Sequence, residues 1–227
     1  MSIENKKLMR SIVLLCAAVL LIYRLPHDSY TISQYLIRPI KLNNSILFLN
    51  WILPFILFVL SIVSFCNLKT FKKMNKFLLV MAFLFILIPI MKWSLDVNRT
   101  NYHWLKNDAL EAVDIKDSNL SLKLINNDLT MNFDLELIDY SRKHNEFNIR
   151  VYLPDSLREY FGMEYINLEN KYRTYGHRRL VNVEEQIILP LSDDYSEQFY
   201  DFQWTLEDVT YVLYNDKEEV VILQHGF

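Results

Sequence analysis

The sequence predicts a membrane α domain joined to an all-β domain: three transmembrane helices, then an extracytoplasmic antiparallel β-sandwich of immunoglobulin-like type, with an open β-barrel as the alternative. Three observations lead there. Residues 1–97 carry 11 Lys+Arg against 3 Asp+Glu, whereas residues 98–227 carry 13 against 24. Long apolar runs without a formal charge are confined to the first part. In the second part the hydrophobic period changes to two, the period of half-buried strands. The expected division is a membrane domain over 1–97, a juxtamembrane stalk over 98–113 and a β-sandwich over 114–227.

The clearest apolar run is 46–66, whose 21 residues hold no formal charge. As a helix it reaches about 30 Å, the thickness of a bilayer core. Asn50 and Pro54 fall in its first turns, and Trp51 suits the headgroup level. A second expected span covers 71–95, with Lys72, Lys73 and Lys76 at one end, Lys92 and Trp93 at the other, and Pro89 as a kink. A third, 11–23, lies between Arg10 and Arg24. Its basic start and short apolar stretch also fit a signal peptide, but Tyr23-Arg24-Leu25-Pro26 offers no small-residue cleavage site, so an uncleaved anchor is expected.

Lys6, Lys7 and Arg10 before the first run, and Lys69, Lys72, Lys73 and Lys76 between the later two, place both ends on the cytoplasmic side by the positive-inside rule. Everything after Leu95 is then expected outside. The segment SYTISQYLIRPI, residues 29–40, reads as a short interfacial helix or a packed loop.

Beyond the stalk, Leu129, Met131, Phe133, Leu135 and Leu137 alternate with polar residues, as do Phe147, Ile149, Val151 and Leu153. Further strands are expected at 120–125, 164–168, 181–191, 207–214 and 219–224. Asn215-Asp216-Lys217 reads as a hairpin turn, and KYRTYGHRR (171–179) as another hairpin turning at Tyr175-Gly176. Pro154-Asp155-Ser156 opens a short helix through Tyr160. Seven or eight short strands give the sandwich, without the Cys…Trp…Cys spacing of antibody domains.

Several chemistries are excluded. The 3 Gly are too far apart for a phosphate-cradling loop, and Cys16 and Cys66 lie inside apolar runs, so neither a disulfide framework nor a thiol pair is expected. The five His are dispersed, and neither G-x-S-x-G nor H-E-x-x-H occurs. His144 reads as an exposed loop residue. No cofactor or metal is implied. The absence of mid-span charge disfavours a transporter. The acidic second half disfavours nucleic acid as a partner.

The most localised basic feature is Arg173, His177, Arg178 and Arg179, a possible contact for an anion or a partner's carboxylates, or else a solvated hairpin balanced by Glu169, Glu184 and Glu185. Trp51, Trp93, Tyr102 and Trp104 are the expected membrane-interface aromatics. Asp193, Asp194, Glu197 and Asp201 form an acidic stretch without the ligand spacing of a calcium loop. The expected protein is a non-catalytic, membrane-anchored binder of a partner protein or envelope ligand. Its partners are the bilayer and a membrane or envelope protein, and its location a bacterial plasma membrane with the C-terminal domain outside. The alternatives are an accessory subunit of a transporter or membrane enzyme complex, and an envelope hydrolase or transferase.

Overall fold

The computed structural model describes residues 3–42, 45–72, 74–125, 128–189 and 208–225. The chain divides into two compact units, one of residues 1–25 and 30–98, the other of 26–29 and 99–227. The acidic stretch around Asp193 and Asp194, and the outer ends of the strands expected at 181–191 and 207–214, lie outside the described residues.

The first unit is helical. Helix α1 is Ile3–Leu21, α2 is Ile32–Leu36 and α3 is Ile52–Cys66; strands β1 (Ile40–Leu42) and β2 (Ser45–Leu47) form a small antiparallel hairpin between α2 and α3. Helix α4 (Lys76–Ala82) continues through a π turn at Phe83–Leu87 into α5 (Ile88–Lys106). The Asn75 side chain caps its start by accepting from the Phe77 amide at 2.9 Å. Leu15, Phe65, Leu68, Leu79 and Phe83 meet in one buried cluster, with the Phe65 and Phe83 rings edge to face at 4.7 Å. Helices α1 and α3 are also tied by polar contacts: Ser61 Oγ donates to the Ser11 carbonyl, and Ser11 Oγ to Ser64 Oγ.

Three membrane spans are not what the chain forms. Among the described residues one helix, Lys76–Lys106, is long and apolar enough to cross a membrane. The run at 46–66 fails because its first residues belong to the hairpin; Asn50 is buried in a turn, and Pro54 sits in the first turn of a helix of only 15 residues. That helix is about 22 Å long, short of the roughly 30 Å bilayer core. Helix α1 spends its first half on Glu4, Lys6, Lys7 and Arg10, which leaves an apolar stretch of about 16 Å. The expected helix end near Leu95 is not an end either. The helix continues to Lys106, through most of the segment expected to be a separate stalk.

The second unit is built from two antiparallel sheets around one core. Strands β3 (Val113–Ile125), β4 (Asp128–Asp139) and β8 (Arg179–Leu189) pair in the order β3-β4-β8. Strands β5 (Asn145–Tyr152), β6 (Tyr165–Asn167), β7 (Tyr172–Thr174), β9 (Val209–Tyr214) and β10 (Glu219–Gln224) form the other, in the order β10-β9-β5-β6, with β7 on the other half of the β5 edge. Helix α6 (Asp155–Phe161) sits between β5 and β6 and ends at Gly162 in the left-handed conformation. Leu129, Met131, Leu135 and Leu137 of β4 face the same core as Phe147, Ile149 and Val151 of β5 and Tyr211 and Leu213 of β9. Burial pushes the Tyr211 phenol well above its usual range.

The immunoglobulin-like sandwich is also corrected: the chain is mixed α/β with three separate sheets among the described residues, and no such sandwich is shown. The ladders divide into separate sheets, so the open barrel does not hold either. Alternation fixes which face of a strand is buried, not which strands pair. The expected 171–179 hairpin shows this: β7 pairs with β5 and β8 with β4, so the turn at Gly176 carries the chain from one sheet to the other.

Candidate functional site

A cleft of about 500 Å³ opens in the β unit where α5 ends. Arg99, Tyr102, His103 and Lys106 stand three and four residues apart, so one face of α5 presents them together. The helix stops at Asn107, which adopts φ 60°, a left-handed conformation that Asn tolerates. The chain then turns back through Asp108 and Glu111 into β3, while Glu219, Val220 and Val221 of β10 supply the opposite wall.

The remaining wall comes from far away in the chain. Residues 26–29 run beside β10, with the Ser29 amide donating to the Leu223 carbonyl at 3.0 Å and the Leu223 amide to the His27 carbonyl at 2.9 Å. Asp28 and Asp208 flank the His225 ring at 3.3 and 2.9 Å. His27 also has positive φ, 58°, and its Nε2 lies 3.2 Å from the Val113 carbonyl. Burial is the main cause holding its imidazole below the ordinary value; Arg99 acts in the same direction, while Asp114 and the Val113 and Glu111 carbonyls oppose it.

Beneath the cleft floor, Arg99 Nη2 donates to Asp114 Oδ2 at 2.8 Å, with side chains only 10% and 4% exposed. The Arg99 guanidinium carbon lies 4.4 Å from the Tyr140 ring centroid, and His103 stacks on the same ring. His103 Nδ1 is 2.9 Å from Asp108 Oδ2. Lys106 and Glu111 stand 3.9 Å apart at the exposed mouth. The cleft thus sets two imidazoles and two permanent cations against Asp108, Glu111 and Glu219. Its lining holds no Ser, Thr or Cys to act as a nucleophile. No group of three His, Cys, Asp or Glu suited to a metal ion occurs among the described residues.

The basic cluster read from the sequence does not converge. Arg173 pairs with Glu146 across the β5–β7 ladder at 3.3 Å, and Lys171 reaches the same carboxylate oxygen at 3.2 Å. Lys171, then Arg173, holds the Glu146 carboxyl below the usual range. His177 and Arg178 occupy the turn after Gly176, at φ 56° and 61°, and Arg179 begins β8 opposite Asp139. The turn is held by Asp139, fully buried, whose Oδ2 accepts from Thr174 Oγ1, Asn145 Nδ2 and the Gly176 amide.

The aromatics also separate. Trp51 and Trp93 are exposed in the helical unit, and Tyr102 is exposed beside the Lys106 ammonium. Trp104 packs instead between the Arg142 guanidinium, 4.4 Å from its ring centroid, and the edge of His177.

Sequence reading missed the cleft. Its signal was the Arg99, His103, Lys106 stripe, hidden once a stalk was expected to start at 98. No sequence signal joins His27 to this face. Comparisons with protein families, with curated proteins and with solved structures return no match.

Proposed function

We propose that this is a non-catalytic, membrane-anchored binding protein whose β unit receives a polar group of a partner protein or envelope ligand in the cleft at the end of α5. The supporting observation is the composition of one continuous helix. Its first turns, from Phe77 to Met91, are apolar; Leu79 and Phe83 pack inward, while Phe85 is 69% and Ile86 58% exposed, whereas from Arg99 on the helix supplies the floor and wall of a charged cleft. Lipid is the medium that suits the first part. A ligand bearing both charge signs suits the second, because Lys106 and Glu111 stand at the exposed mouth and Glu219 lines the opposite wall.

Flotation of the purified full chain with phosphatidylcholine vesicles, before and after alkaline washing, tests the anchor. Retention after washing is expected, and release into the wash would refute it. Cross-linking from the cleft in intact membranes tests the binding role.

A further inference from the structure

Deepening the anchoring reading, on which it rests, we infer that the helical unit carries a separate site: a groove that takes one hydrocarbon chain of a membrane lipid. The groove encloses about 470 Å³, within the range of ligand pockets. Its walls are Ala18 and Val19 of α1, Pro54 and Phe58 of α3, and Leu84 and Ile88 of the long helix. No polar atom faces it. A ligand with polar groups would surrender its water there and find nothing to replace it, at a cost of several kcal/mol per group in hydrocarbon-like surroundings. The occupant is therefore a chain of methylenes.

Two features besides its apolarity mark the groove. The π turn at Phe83–Leu87 contains Leu84 and is followed at once by Ile88, so one wall is formed where the helix departs from its regular side-chain rows. Such turns are rare and recur at functional sites. The rim also carries exposed apolar side chains: Ile52 and Phe55 are 52% and 65% exposed, and Phe85, next to Leu84 in the chain, is 69% exposed. Phe85 lies on the helix that is long enough to cross a membrane, so the medium at the rim is acyl chains, and an acyl chain is what enters. Ala18, 4% exposed, sets the depth: its small side chain leaves room that a larger one would occupy.

The test uses the full chain in phosphatidylcholine vesicles carrying a trace of phosphatidylcholine with a photoreactive diazirine on one acyl chain. Adducts are mapped by mass spectrometry. The expected result is labelling at Phe58 and Ile88 as well as at Phe85. Ala18→Phe should lower the groove labelling about tenfold, the effect of displacing roughly two buried methylenes, and leave Phe85 labelling unchanged. Leu84→Trp, at the more accessible rim, repeats the test should Ala18→Phe not fold. Labelling of Phe85 without the groove, groove labelling indifferent to both variants, or groove residues cross-linked to a second copy would overturn the site while sparing the anchor. Absence of labelling everywhere, with no flotation, would overturn both.

Discussion

Arg99 and Asp114 form a buried ion pair, 2.8 Å long, that fastens the last turns of α5 to the first residues of β3. Arg99 also lies over Tyr140, so the pair holds the cleft floor in place from two sides. A buried pair of this kind contributes little beyond an apolar substitute, but losing one partner strands a charge.

Asp114→Asn is therefore expected to destabilise the β unit by about 3–5 kcal/mol. Arg99→Met combined with Asp114→Leu should recover most of that loss. Urea unfolding of the full chain in detergent checks this, and equal losses in the single and double variants would show that the charge is not the cause.

The Asp139 hub is expected to matter as much. Asp139→Ala leaves the Thr174 hydroxyl, the Asn145 amide and the Gly176 N–H without their acceptor, at about 1–3 kcal/mol for each buried group left unmade. Gly176→Ala should also destabilise, because φ is +64° and a Cβ would stand 2.6 Å from the Ser141 carbonyl oxygen. Gly162→Ala, with open space around it, shares only the backbone penalty and should cost less. Thermal melting of the three variants ranks them.

His27 gives a pH dependence of definite sign. Its folded imidazole titrates below the ordinary value of about 6.5, so on acidification the unfolded chain takes the proton first. Its contribution to stability is complete above that value and is lost as pH falls through the folded one. His27→Gln should flatten the fall in urea midpoint between about pH 7.5 and pH 5.5. An unchanged slope would assign the effect to other groups.

The anchor predicts a depth-dependent response to charge. Phe85→Asp with Ile86→Asp places two carboxylates at exposed apolar positions of the long helix, each costing about 2.5–3.5 kcal/mol in a bilayer. The double variant should be extracted by alkaline wash. The same change at Leu180 and Ile188, exposed residues of β8, should leave membrane retention unaltered.

Strands were legible because a half-buried strand writes its period directly into the sequence: the alternation from Leu129 to Leu137 is β4, and Asn215-Asp216-Lys217 is the β9–β10 turn, with Asn215 Oδ1 accepting from the Lys217 and Glu218 amides. The short helix opened by Pro154 is α6. Helix lengths were not legible, since an apolar run records hydrophobicity without recording where hydrogen bonding begins; Ser45–Leu47 found a strand partner and Pro54 delayed α3. Sheet membership and the cleft depend on long-range pairing. The addition of 26–29 beside β10 joins residues almost two hundred positions apart, which no local pattern encodes.

Site-specific photo-cross-linking from Val221, which is 51% exposed on the cleft wall, tests the binding role most directly. In intact membranes one dominant adduct is expected, lost when Lys106→Glu and Glu219→Lys reverse the charges at the mouth, and absent when the probe is moved to Ile188. Adducts of equal yield from Val221 and Ile188, indifferent to those reversals, would contradict it.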